Sequence, residues 1–375
     1  MQQSQRRYDI DWWRVIAIIA VYLHHICMPF NGDGYHIVNA ESSKVLDDVM
    51  VFFEQIRLPL LFLISGTATV FAFSKRSWWQ FVRERSYRLL IPLVFGLLFI
   101  VPPQTYYEHI EAFDSFGHFY AQLFSHLEVN HLWFIENLFY ISLGCIPLIL
   151  FLRSQRSRVI RKHIEKQSNF TYSIFLWALL VIFIKVASKI YFPEDSKSIT
   201  NLSSTLFYGF FFIAGIVLAT VPNLWGFLKK FRRVNLIMAI IGTLFFYGYY
   251  YLPDEIASEY LSIDARWAIW HGVSSWISWS VIISLLGYGQ IWFNRSSKIL
   301  TKANEAIYPF YILHQTVIVA MAYYIVRLDV SILWKITLLL GSTFPFILLV
   351  YRFLIYPFKL PRILFGIKKD KMSCS

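Results

Sequence analysis

Ten apolar runs, separated by short polar connections, organise the chain. They lie near 12–30, 49–73, 89–107, 131–152, 170–192, 204–221, 234–252, 266–290, 304–326 and 331–356. At 1.5 Å per residue each is long enough to cross a hydrocarbon layer about 30 Å thick. The pattern predicts an all-α fold, a polytopic membrane helix bundle of about ten transmembrane helices. It reads as one integral-membrane domain over residues 1–375, with no appended soluble domain, so any chemistry has to sit within the bundle. No A-x-A-like cleavage site follows the first run, which is therefore expected to be retained rather than removed as a signal peptide.

Charge orients the bundle. Charged residues are 15% of the chain, against about 25% in a soluble globule. Basic residues gather in alternate connections: Arg83, Arg85 and Arg88; Arg153, Arg156, Arg158 and Arg161; Lys229, Lys230, Arg232 and Arg233; Arg295, Lys298 and Lys302. The intervening connections carry acids, among them Asp33, Glu41, Asp47 and Asp48, then Glu108, Glu111, Asp114 and Glu128, then Asp254, Glu255, Glu259 and Asp264. The positive-inside rule then puts both termini in the cytoplasm. The net charge of +12 describes attraction to the inner leaflet of the lipid bilayer and not to nucleic acid. Cys27, Cys145 and Cys374 are scattered, with no metal-ligand or disulfide spacing. No phosphate-binding glycine loop is present.

Ionisable groups inside apolar runs are costly and serve as functional-site hypotheses by default. Arg14 and His25 share the first run. Eleven helical steps make three turns plus about 20°, so they lie on one face, roughly 16 Å apart along the axis. His24 is rotated about 100° from His25. The plainer alternative has Arg14 snorkelling to the interface and His25 capping the other end. In the second run Arg57 stands on the outer side, Pro59 loosens a turn, and Ser65-Gly66 permits close helix approach. The fourth run opens with His131, Trp133 and Glu136, and Glu136 could pair with an arginine or orient a histidine. In the ninth, His314 stands one helical turn from Tyr311. Arg85 and Arg88, three apart before Pro92, would share a helix face and clamp a phosphate.

Together these suggest a transfer reaction run across a membrane. A neutral histidine takes a proton from a hydroxyl acceptor, a step contributing about 10²–10⁴-fold to rate, while basic groups hold an anionic donor at the inner mouth. The rival is a proton-coupled transporter or flippase of a glycan or small anionic solute.

An ordered set of short motifs resembles the acyltransferase 3 family of integral-membrane acyltransferases, in particular its branch of periplasmic-glucan succinyltransferases. The set comprises Arg14 with His25, Phe62-Leu63-Ile64-Ser65-Gly66, and Arg85-x-x-Arg88 before Ile91-Pro92. It continues with His131-Leu132-Trp133-Phe134, Tyr208-Gly209-Phe210-Phe211-Phe212-x-x-Gly215 and Tyr308-Pro309-Phe310-Tyr311-Ile312-Leu313-His314. The resemblance implies transfer of an acyl group, succinyl or acetyl, from cytoplasmic acyl-coenzyme A to a hydroxyl of an extracytoplasmic glycan, by a multi-pass protein of the inner membrane. It implies His25 as catalytic base, Arg14, Arg85 and Arg88 as donor-binding groups, and no permanently bound cofactor or metal. Arg57, Ser65, His131, Trp133, Tyr311 and His314 are supporting or substrate-binding candidates. Many members carry an Asp just before the Phe-x-x-Ser-Gly run, where Pro59 falls here, and Glu136 is the candidate substitute as partner of His25. The sequence leaves a homo-oligomer open.

Overall fold

A computed structural model describes residues 6–73, 76–170 and 172–367. Every regular element among them is helical. Cys374 lies outside the described residues. Eight helices are long and apolar enough to cross a membrane, or ten if each of two bent pairs makes one span. The pairs are Asn130–Gly144 with Ile146–Arg153, bent by 46°, and Asn223–Lys230 with Arg232–Tyr250, bent by 64°. These ten match the ten apolar runs in order.

The chain forms two compact units. The first comprises the described residues of Met1–Arg14, Gln55–Trp78 and Tyr140–Ser296; the second those of Val15–Glu54, Trp79–Phe139 and Ser297–Ser375. Helix α1 (Tyr8–Cys27) is unbroken and runs from one unit into the other, as does α2 (Lys44–Phe73).

In the first unit α2 meets α3 (Leu202–Thr220) with backbone against backbone. A Cβ on Gly66 would overlap the Phe212 carbonyl oxygen, and one on Gly215 would overlap the Leu63 carbonyl oxygen. Thr67 Oγ1 sits in the crossing, 3.1 Å from the Gly215 carbonyl oxygen and 3.2 Å from that of Leu63. Without a hydrophobic drive between helices in lipid, such close approach supplies the attraction by packing. Ser65-Gly66 is thus part of a helix crossing.

Prolines break the helical hydrogen-bond ladder throughout, and each freed carbonyl needs a donor. Pro59 frees the Gln55 carbonyl, which accepts from Ser278 Oγ at 2.6 Å within the first unit. The third span, Trp78–Glu108, contains two π-helical turns in the second unit, Ser86–Leu90 and Gly96–Ile100, ahead of Pro92 and Pro102. There the Arg88 carbonyl accepts from the Tyr308 hydroxyl at 3.0 Å and the Leu98 carbonyl from the Tyr120 hydroxyl at 2.9 Å. A third π turn, Tyr351–Ile355, precedes Pro357. Proline-driven π turns re-aim the side chains around them, and the Ile100 carbonyl, in one of them, accepts from Thr316 Oγ1 at 2.6 Å.

Lys189 and Lys335 are both buried. Lys189 Nζ binds the Pro193 and Glu194 carbonyls and Asp195, and Lys335 Nζ binds Asn39 Oδ1 and the Val326 carbonyl. They act as loop staples.

Candidate active site

Helix α4 (Lys298–Ile325) carries the centre of the site, in the second unit. His314 is buried, and its Nδ1 donates to the Tyr311 carbonyl within its own helix. That bond assigns the tautomer: the proton is on Nδ1, and Nε2 carries the lone pair. His314 Nε2 lies 3.3 Å from His25 Nδ1, with the two rings stacked at 5.0 Å and 16°. Since Nε2 of His314 can only accept, His25 donates from Nδ1, and its own Nε2 becomes the basic nitrogen. A neutral imidazole here does the orienting that a carboxylate does in other dyads.

His131 packs edge-on against the His314 ring at 5.2 Å. Asn130, at φ 44° in the left-handed region that Asn tolerates, turns the chain into the helix that follows. His131 Nε2 donates to the Ile312 carbonyl at 3.0 Å, and its Nδ1 accepts from Gln104 Nε2 at 3.3 Å. The Tyr311 hydroxyl donates to the His131 carbonyl.

A relay of amides leads away from these rings. Gln104 Nε2 also donates to Thr316 Oγ1 at 2.6 Å, and Gln104 Oε1 accepts from Gln315 Nε2 at 3.1 Å. Gln315 Nε2 donates its other proton to His36 Nε2 at 2.9 Å, and His36 Nδ1 donates to Glu108. Every donor in the chain Glu108–His36–Gln315–Gln104–His131 meets one acceptor, as a buried polar network requires. His36 and Glu108 line a cavity of about 850 Å³ with Tyr107, Glu111, Tyr323 and Arg327.

Tyr35 stands between. Its ring lies 5.0 Å from that of His36 and 6.3 Å from that of His25. Its hydroxyl is shut off from solvent and has no hydrogen-bond partner among the described residues. Burial and the nearby Glu108 carboxylate push the phenol above its ordinary range, so it stays protonated and able to donate.

The expected residues separate into groups. His25, His131, Tyr311 and His314 converge. Glu136, expected beside His25, does not meet it: it makes no hydrogen bond or ion pair among the described residues, and one of its oxygens is buried without a partner. The position next to His25 is taken by His314. Trp133, half-buried, opens its helix and lends its carbonyl to Asn137. Arg85 and Arg88 do not act as an i,i+3 pair on one α-helical face, because the π turn begins between them and changes the angular step. Arg85 lies over the Phe81 ring at 5.0 Å, while Arg88 pairs with Glu84 at 3.8 Å. Arg57 is buried on α2 and Ser65 is at the helix crossing, both in the first unit. Arg14 closes the first unit's part of α1, 3.4 Å from Asp11, and the unbroken helix keeps it on the face of His25 along α1.

Sequence reasoning missed Tyr35, His36, Gln104, Glu108, Gln315 and Thr316. Gln315 adjoins His314 and Gln104 follows two prolines, but nothing in a single sequence says that distant amides meet. Among the described residues no group of three or more His, Cys, Asp or Glu is arranged to hold a metal ion.

A family profile described as an acyltransferase domain matches residues 7–352. Relatives include proteins named glucans biosynthesis protein C from Escherichia coli strain K12, strain 536 and strain HS. Each is 24% identical over 247 residues, covering 59% of this chain and 60% of the relative. The chain thus spans less than two thirds of the length of these relatives. No solved structure matches it.

Proposed function

From the premise that the chain belongs to the acyltransferase 3 family and is a multi-pass membrane protein, we propose that it O-acylates an extracytoplasmic glycan from cytoplasmic acyl-coenzyme A. The observation that carries the reading is the His25–His314 pair, whose tautomers make His25 Nε2 a base. The relatives named for glucan biosynthesis support a glycan acceptor. The inner membrane, a succinyl or acetyl donor and an inward-facing basic end belong to the same proposal, with Arg85 and Arg88 holding the donor.

In this reaction His25 Nε2 takes the proton of the acceptor hydroxyl as its oxygen attacks the thioester carbonyl. The resulting imidazolium keeps its Nδ1 bond to neutral His314. Collapse of the tetrahedral intermediate breaks the C–S bond. His25 returns the proton to the leaving thiolate, so that one ester and one free thiol form per turnover. The cavity beside His36 and Glu108, with its tyrosines and carboxylates, suits a hydroxyl-rich acceptor. The Tyr35 hydroxyl, on a ring 6.3 Å from that of His25, is the group we assign as donor to the developing oxyanion.

Purified protein in lipid nanodiscs, given succinyl- or acetyl-coenzyme A and a glucan oligosaccharide, should release one coenzyme A per acyl mass added to the glycan. Movement of unmodified glycan or solute with no thiol release would establish the transport reading instead.

Tyr35→Phe separates function from stability. A buried hydroxyl without a partner costs about 1–3 kcal/mol, so its removal should leave Tm unchanged or raised. Loss of an oxyanion donor should lower kcat by about 10²-fold. Unchanged kcat would remove Tyr35 from the mechanism.

A further inference from the structure

The first unit has a cavity of its own, of about 250 Å³, where helix Arg232–Tyr250 connects to helix Ile263–Trp292. Tyr249, Tyr250, Trp267 and Trp270 line it, together with Asp254 and Arg266. The connection holds a short helix, Asp254–Tyr260. Its Asp254 carboxylate pairs with the Arg266 guanidinium. The Tyr249 hydroxyl donates to the Arg266 carbonyl at 2.8 Å, which ties the two long helices together at the cavity.

The rings hold one another in place. Trp270 packs on Phe246 at 5.1 Å and on Tyr250 at 6.2 Å, with interplanar angles of 33° and 34°. Trp267 stacks on His271, one helical turn further along, at 5.9 Å and 23°. Trp267 nevertheless stays 53% exposed. A tryptophan braced by a neighbouring ring and still open to a cavity is a platform whose ordering cost is already met before a ligand arrives.

Tryptophans and tyrosines also gather at membrane interfaces, where each ring sits at the level of the lipid headgroups. That role needs neither a concave wall nor an ion pair. Here the rings enclose space beside a carboxylate and a guanidinium, the mix of aromatic surface and few polar groups that marks a ligand site. A pyranose has the matching build: apolar C–H faces that lie against aromatic planes, and a rim of hydroxyls. Asp254 can accept from those hydroxyls and Arg266 can donate to them. The charges of this pair cancel, and Glu255, Glu259 and Asp264 stand in the same segment. The surroundings therefore repel a phosphate or carboxylate and favour a neutral sugar.

We propose that this pocket is a glycan-docking subsite, which holds a neutral sugar of the acceptor chain other than the one being acylated, with Trp267 as its platform and Asp254 and Arg266 as its hydroxyl partners. The inference rests on the glycan-acceptor reading above and adds where a long acceptor is held. A chain anchored here offers its remaining hydroxyls at a raised local concentration, so long acceptors gain over short ones. Calorimetry tests the site without turnover. The full-length protein in lipid nanodiscs, given a panel of neutral glucose oligosaccharides of the common linkages and no acyl donor, should bind saturably. Trp267→Ala and Asp254→Asn should each weaken that binding about tenfold, and Trp267→Phe, which keeps an aromatic plane, should restore part of it. In the transfer assay the first two variants should also erase the wild-type preference for long oligosaccharides over the disaccharide. Binding by the wild type without acyl transfer would support the subsite and defeat the functional reading alone. Absence of wild-type binding across the panel overturns the inference, as does binding and length preference left intact by both Trp267→Ala and Asp254→Asn. Phospholipid that co-purifies with the wild type and is lost from Trp267→Ala, with no oligosaccharide bound by either, would make the pocket a lipid site and overturn it too.

Discussion

His25→Ala is expected to lower acyl transfer by about 10²–10⁴-fold, with the protein present in membranes at its normal level. The ring is half-buried and stacks on His314, which orients it through the Nδ1 bond. Its loss therefore removes the base without opening the helix crossing in the other unit. His314→Phe tests the tautomer argument separately. It keeps a flat ring against His25 but deletes the Nε2 acceptor, so the His25 proton no longer has a reason to stay on Nδ1. Transfer should fall by about 10²-fold or more, as it does when an orienting group of a catalytic dyad is lost. The two substitutions act on one unit of chemistry, so the double variant should be no slower than His25→Ala. Coenzyme A release with acceptor mass analysis reads all three. Normal transfer by His25→Ala would remove the imidazole from the reaction, and fully additive losses would dissolve the pairing.

Gly66→Val is expected to abolish the folded protein rather than its chemistry. The added Cβ would overlap the Phe212 carbonyl oxygen, and the reciprocal contact of Gly215 with the Leu63 carbonyl oxygen prevents either helix from sliding clear. Backbone atoms cannot rotate aside, so the helices must part and Thr67 must lose its bond to Gly215. A destabilisation of about 3 kcal/mol or more follows from overpacking of this kind. It would be read as a lower Tm and loss of monodisperse material on extraction. Gly209→Ala is the control: it lies on α3 as well, with nothing within 4 Å of the place its methyl group would take, and gains helix propensity of about 0.5–1 kcal/mol. Equal behaviour of the two variants would refute the crossing.

Gly209 and Gly215 share one motif, Tyr208-Gly209-Phe210-Phe211-Phe212-x-x-Gly215, yet only Gly215 meets a backbone. That contrast marks the boundary of what a sequence reveals. Run length and hydropathy determined the ten helices, because a lipid-spanning segment has to satisfy its backbone internally and the number of residues needed is set by bilayer thickness. Helical phase placed Arg14 and His25 on one face of α1, and placed Tyr311 beside His314, because these are relations within single helices. The π turns escaped that reasoning. Pro92 was visible, but the widened turn that separates the roles of Arg85 and Arg88 depends on where the Tyr308 hydroxyl can catch the freed Arg88 carbonyl.

Tertiary structure alone decided the partner of His25. Glu136 was the reasonable candidate from charge, since a carboxylate is the usual orienting group, but which helix faces which is not encoded in any one helix's periodicity. Packing set His314 against His25 and assembled Gln104, Gln315, His36 and Glu108 from three separate segments into one hydrogen-bonded relay. Apolar periodicity says only that a face is buried. The complementarity of individual donors and acceptors, settled when the helices pack, determines what it is buried against.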